Sequence, residues 1–147
     1  MKRKGILNYQ LSSAVSKLGH GDIILIGDVG CAFPSNPAIT CIDLAVTKGI
    51  PYVNDVLKVV MEELEVEEYI VPKEMPEVSP SAYQKYTQTI ASYKIGENEI
   101  LEKRLPHLEM KRIWFGEGTN NEQMKVFVRT GECTPYGYIM LVAGVNF

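Results

Sequence analysis

The chain lacks most of the residues that announce a chemistry. It has 2 His and 1 Trp in 147 residues, and its 3 Cys are odd in number and show no Cys-x-x-Cys spacing. That excludes a zinc ribbon or a dithiol redox centre, so Cys31, Cys41 and Cys133 read as reduced thiols of a cytoplasmic protein. There is no basic excess: 15 Lys and Arg stand against 18 Asp and Glu, a net charge of −3, which provides no footprint for holding phosphate backbones. Nucleic acid and anionic membrane are therefore poor partners. No apolar run approaches the ~20 residues of a membrane span. The basic Met1-Lys2-Arg3-Lys4 leads into polar Asn8-Tyr9-Gln10 and not into a signal core. Gly27-Asp28-Val29-Gly30 lacks the spacing of a dinucleotide or P-loop fingerprint, so nucleotide binding is a weak reading. Internal repeats and low-complexity tails are missing as well.

What remains is an ordinary globular composition, 46% hydrophobic and 22% charged, which fits one domain spanning 1–147. Leu11, Val15 and Leu18 recur at helical spacing, and Gly19 stands where a helix stops. Ile23-Ile24-Leu25-Ile26 reads as a strand buried on both faces, with Asp28 just beyond its end. The Gly- and Pro-rich stretch 27–40 reads as a long irregular loop. Asn54 is placed to cap a helix carrying Leu57, Val60, Met61 and Leu64, and Tyr69-Ile70-Val71 suggests a strand halted by Pro72. Ser79-Pro80 opens a helix to about Tyr93, and a shorter one runs from His107 to Ile113. Met124 to Arg129 and Tyr138 to Val142 are β-rich. This interleaving predicts an α/β fold, a three-layer α/β/α domain with a largely parallel or mixed central sheet, and ligands at strand C-termini.

Candidate chemistry centres on the two histidines, His20 and His107. An imidazole exchanges protons near neutrality, whereas an ordinary Asp serves only as a base, so His plus Asp makes a working pair. A histidine in a small domain more often fills surface or core than catalyses. His20, however, is flanked by Gly19 and Gly21 and lies eight residues before Asp28, which makes contact between them feasible. Asp22 reads as a local cap, and Cys133 as a buried, inert thiol rather than a nucleophile. Alternation puts Tyr136 and Tyr138 on the same strand face, where core packing and ligand stacking explain them equally well.

Gly5-Ile6-Leu7-Asn8, Leu18-Gly19-His20-Gly21-Asp22, Asp28-Val29-Gly30, Ile42-Asp43-Leu44-Ala45 and Thr47-Lys48-Gly49-Ile50-Pro51 together resemble the D-ribose pyranase/L-fucose mutarotase family, nearer its ribose branch. The likeness continues through Leu105-Pro106-His107-Leu108-Glu109-Met110-Lys111, the run from Arg129 to Tyr136 and the closing Ala143-Gly144-Val145-Asn146-Phe147. It implies a mutarotase or pyranase acting on a free monosaccharide such as ribose or fucose, with no metal or organic cofactor. It also implies a homo-oligomer of pentameric rings stacked as a decamer, with sugar pockets between neighbouring subunits. By the same resemblance His20 is the proton donor, Asp28 and His107 contact the sugar, Tyr136 reaches it, and Gly137 presents its backbone there.

Three departures stand out. Tyr138 occupies the place of the asparagine in the family's Tyr-x-Asn motif, which leaves it as a pocket-lining residue without that asparagine's role. Cys41 replaces an arginine, and Ile113 to Asn121, with Trp114, Phe115, Gly116 and Gly118, looks inserted, either covering the pocket mouth, contacting the next subunit or forming a plain surface loop. Losing two polar contacts motivates a rival expectation, a non-catalytic sugar-binding or transport-accessory protein of the same fold.

Overall fold

Ile23 to Ile26 lie at the heart of the sheet, each 1% exposed or less. The computed structural model describes residues 1–93, 99–117 and 123–147. In chain order the elements are α1 (Tyr9–Val15), β1 (Asp22–Gly27), β2 (Thr40–Asp43), α2 (Val53–Met61), β3 (Val66–Pro72) and α3 (Met75–Val78). They continue with α4 (Pro80–Ser92), β4 (Leu101–Leu105), α5 (His107–Trp114), β5 (Gln123–Arg129) and β6 (Ile139–Ala143). Both faces of β1 are covered, which is why its sequence is apolar without alternation. Ile24 and Ile26 pack beneath α1, α2 and α4, while Ile23 and Leu25 face Met110, Ile113 and Trp114 of α5. These are the three layers expected from the sequence.

Among the described residues the six strands run in the order β2-β5-β1-β6-β3-β4. β1 and β2 pair parallel with β5, β3 pairs parallel with β4, and β6 is antiparallel to both β1 and β3. Five strands therefore point one way and β6 alone runs back. The start of β6 lies on the same sheet edge as the ends of the other five, and that edge holds the candidate site.

Two local expectations are corrected. The α2 N-cap is Tyr52, whose N–H donates to Asp55 Oδ2 at 3.0 Å. Asn54 sits one residue inside the helix, and its Oδ1 accepts from Thr89 Oγ1 at 2.8 Å, tying α2 to α4. The second concerns α1, which is capped at its start by Asn8, whose Oδ1 accepts from Leu11 N at 2.9 Å, and which ends at Val15 with Ser16 as its C-cap, so that Gly19 does not stop the helix. Among the described residues no helix is long and apolar enough to cross a membrane.

Candidate active site

The ends of β1 and β5 are stitched together by side chains. Thr130, fully buried, donates from Oγ1 to Gly27 O at 2.8 Å and accepts from Glu132 N at 3.2 Å. Glu132 is buried in turn and folds its own turn tight, its Oε1 accepting from Thr134 Oγ1 at 2.6 Å and from the amides of Cys133 and Thr134, each at 3.2 Å. Val29 N donates to Glu132 O at 2.8 Å, so the segments after β1 and β5 move as one.

Asp28 follows β1 directly, and its Oδ1 accepts from Gly30 N at 2.8 Å. Burial pushes its carboxyl above the ordinary aspartate value, the Gly30 amide and the Cys31 thiol pull it back, and the charge of Glu132 adds to the rise. Cys31 is buried beside it, and that burial together with the Asp28 charge pushes the thiol well up, so it stays protonated and unreactive.

A carboxyl raised by folding is stabilising while protonated and becomes a liability as pH climbs through its folded value. Asp28→Asn keeps an oxygen for the Gly30 amide but carries no charge. We expect this variant to melt above the wild type at neutral pH, with the gap closing as pH falls through the raised folded value toward the ordinary aspartate range. A melting-temperature series against pH checks it, and a wild type that outlasts the variant at neutral pH would contradict the assignment.

His107 opens α5, and its N–H donates to Glu74 Oε2 and Oε1 at 3.2 and 3.3 Å. Its ring is held among three others. Tyr136, Tyr138 and Trp114 lie 5.5, 5.8 and 5.9 Å away between centroids, all edge-on. The Tyr138 hydroxyl is 2.6 Å from His107 Nδ1. Tyr136 holds a positive φ of 55°, a conformation uncommon outside glycine that turns its ring toward the cavity before the strand begins. The sequence expectation that Tyr136 and Tyr138 share a strand face is therefore not met: Tyr136 packs with the α1/α2/α4 layer and Tyr138 with the α5 layer.

These groups enclose a cavity of about 500 Å³, lined by Asp28, Cys31, His107, Lys111, Trp114, Cys133, Tyr136 and Tyr138 together with Val29, Gly30, Ala32, Thr134 and Pro135. Its size falls in the range of small-molecule sites. A carboxylate, an imidazole, an ammonium and several ring faces make a setting suited to a small polyhydroxylated ligand, whose hydroxyls need polar partners and whose C–H faces need aromatic surface.

Two residues named from the sequence lie elsewhere. His20 is at the opposite sheet edge, ahead of β1, with its side chain 60% exposed and Nε2 3.0 Å from Glu67 Oε2. The six residues of β1 separate it from Asp28 by about 20 Å, so the contact that eight residues of chain made feasible does not form within one copy. Gly137 is buried, its N–H donates to Thr134 O and its carbonyl accepts from Tyr86 Oη, both at 2.9 Å. Its backbone is thus engaged within the chain, against the expectation that it faces a sugar.

Lys111, Cys31 and Cys133 were missed as cavity residues, whereas Trp114 falls in the stretch expected at the pocket mouth. His107, Lys111 and Trp114 follow one another at four- and three-residue steps, so extending the expected helix by one residue would have put all three on one face. Cys133, expected buried, is exposed at the cavity wall. The apparent insertion from Ile113 to Asn121 is described only to Glu117, and there Trp114 is a buried wall of the cavity rather than a surface loop. Its remainder lies outside the described residues. Asp22 does cap its turn, with Oδ2 accepting from Gly19 N at 2.8 Å. Among the described residues no group of three or more His, Cys, Asp or Glu side chains is arranged to hold a metal ion.

Comparison with known proteins gives a consistent picture. The model of the RbsD / FucU transport protein family matches residues 1–146. D-ribose pyranases of Pseudomonas entomophila and Variovorax paradoxus are each 40% identical over 147 residues, covering 100% of both chains. The structure of Bacillus subtilis RbsD complexed with D-ribose superposes with a TM-score of 0.84 at 31% identity, covering 100% of both chains. The fucose mutarotase of Streptococcus pneumoniae in complex with L-fucose shares the fold, with a TM-score of 0.72 at 17% identity over 96% of this chain and 95% of that one.

Proposed function

Because this chain belongs to the RbsD / FucU transport protein family, we propose that it is an isomerase of the D-ribose pyranase type, interconverting the cyclic forms of a free monosaccharide by acid–base ring opening. The observation that carries this reading is one cavity holding Asp28, His107 and Tyr136 at the edge where five strands end. D-ribose is the favoured substrate, since the full-length relatives at 40% identity are D-ribose pyranases.

Opening a cyclic hemiacetal removes the proton of the anomeric hydroxyl, breaks the bond between the anomeric carbon and the ring oxygen, and protonates that oxygen. Closure through the other face or another hydroxyl reverses both transfers, and no electrons leave the sugar. Asp28 holds the sugar and accepts the anomeric proton, and His20 delivers the proton to the ring oxygen. A carboxyl lifted by burial is the better base for this, being nearer the working pH. Since His20 is about 20 Å from Asp28 within one copy, its partner is the cavity of a neighbouring copy. That requires a homo-oligomer, for which pentameric rings stacked as a cytoplasmic decamer are the arrangement we propose. His107 and Tyr136 position the sugar, with Gly137 supporting the turn that carries Tyr136.

Saturation-transfer NMR between the pyranose and furanose forms of D-ribose, and between the anomers of L-fucose, tests the reading. Faster exchange with enzyme than without, larger for ribose, is expected. Binding of sugar without accelerated exchange would instead support a non-catalytic binding or transport-accessory protein.

A further inference from the structure

Tyr138 is 1% exposed, and its hydroxyl has one hydrogen-bond partner among the described residues, His107 Nδ1 at 2.6 Å. Which atom of that pair carries the proton decides what His107 offers the cavity. A phenol has one proton and an imidazole in its neutral form has one, on either nitrogen. Were the proton on Nδ1, the tyrosine oxygen would accept it and leave its own O–H without a partner in a buried place, which is unfavourable. With the phenol donating to Nδ1, one bond satisfies both buried atoms and the histidine proton moves to Nε2. Burial pushes the Tyr138 phenol far above its ordinary value, so it keeps the proton it donates.

We infer that Tyr138 is a positioning residue which fixes His107 as its Nε2–H tautomer, so that the cavity presents a hydrogen-bond donor to an acceptor oxygen of the sugar. The ring oxygen of a cyclic sugar is such an atom, since it carries lone pairs and no proton. This rests on the sugar-isomerase reading for the identity of the ligand, but not for the tautomer itself. The rings around His107 reinforce the choice: Trp114 and Tyr138 meet edge-on at 5.4 Å and an interplanar angle of 88°, which leaves the imidazole little freedom to turn Nδ1 elsewhere. The same wall carries one further donor, since Trp114 Nε1 is buried without a partner among the described residues. Replacing an amide with a phenol at this position therefore trades a group that could both give and take hydrogen bonds with ligand for one whose single hydroxyl is spent on the histidine. The chain so built reads fewer sugar hydroxyls and relies more on ring surface.

Long-range proton–nitrogen correlation spectra of the histidine side chains at about pH 8, where ordinary imidazoles are neutral, test this directly. With only 2 His in the chain, the His20→Ala spectrum assigns His107 by elimination. The expected pattern is a single His107 tautomer with the proton on Nε2 and a hydrogen-bonded, proton-free Nδ1. In Tyr138→Phe the Nδ1 signal moves to the position of an unbonded nitrogen and the second tautomer becomes visible. A proton on Nδ1 in the wild type overturns the proposal whether or not the variant folds, as does a Tyr138→Phe spectrum identical to the wild type. The sugar-exchange assay of the wild type reports separately on the isomerase reading, so either can fail while the other stands.

Discussion

His20→Ala and Asp28→Asn are each expected to slow sugar ring exchange by ~10²–10⁴-fold, and oligomers assembled from a mixture of the two inactive chains to regain part of the lost rate. The expectation follows from geometry. The two groups sit at opposite ends of β1, so a site using both draws one from each of two copies. In a one-to-one mixture assembled at random, about a quarter of such sites pair an intact histidine with an intact aspartate, and about a quarter of the wild-type rate should return. Co-expression followed by saturation-transfer NMR measures it. If the mixed oligomers stay as slow as the separate variants, His20 and Asp28 do not act in one shared site.

The second large effect is on the frame of the cavity. A Cβ built on Gly131 would lie 2.2 Å from Thr47 O, 2.7 Å from Ile50 N and 2.8 Å from Ile50 O. All three are main-chain atoms, which cannot swing aside as a side chain would. Gly131 is also fastened there by its own backbone, its N–H donating to Pro51 O at 2.9 Å and its carbonyl accepting from Gly49 N at 2.6 Å. Gly131→Ala is expected to cost ~1–3 kcal/mol or more by overpacking, lowering the melting temperature by several degrees in a chain of this size. It should also weaken sugar binding, because Cys133 to Tyr136 follow directly and line the cavity. Gly19→Ala is the control: the nearest atom to a Cβ there is 3.6 Å away, an ordinary contact. Equal melting temperatures for the two variants would show that the close approach at Gly131 carries no cost.

How much of this was readable in advance depended on burial. The four inner strands, β5, β1, β6 and β3, carry apolar runs, and the sequence places each within a residue or two at most ends. The two strands it missed, β2 and β4, are the sheet's edges. Leu101-Glu102-Lys103-Arg104-Leu105 has no fully buried residue, and of Thr40-Cys41-Ile42-Asp43 only Ile42 is buried, so neither presents the apolar signal that marks a strand. Charge on an edge strand protects it from unwanted pairing, and it hides the strand from a reader of hydrophobicity for the same reason. At the site, Asp28 and His107 were legible because polar residues beside structural elements are conspicuous. Lys111 was not, since a lysine near a helix end suggests solvent until the cavity is seen. The distance between His20 and Asp28 was hidden by a subtler point. Counting residues gives the reach of a chain, but a strand spends that reach in a straight line.

The lone reversed strand has a consequence of its own. β6 starts beside the tyrosines and ends where Ala143 O accepts from Gly21 N at 2.8 Å, next to His20, so the molecule has two chemically different poles joined by one rod. If the pole bearing the imidazole docks against the cavity pole of the next copy, every copy uses one of each and is left with one of each to offer. Such a head-to-tail contact has no natural end: it must bend round and close into a circle, or grow without limit into a fibre. The angle at which one copy meets the next would then separate a finite enzyme from a filament.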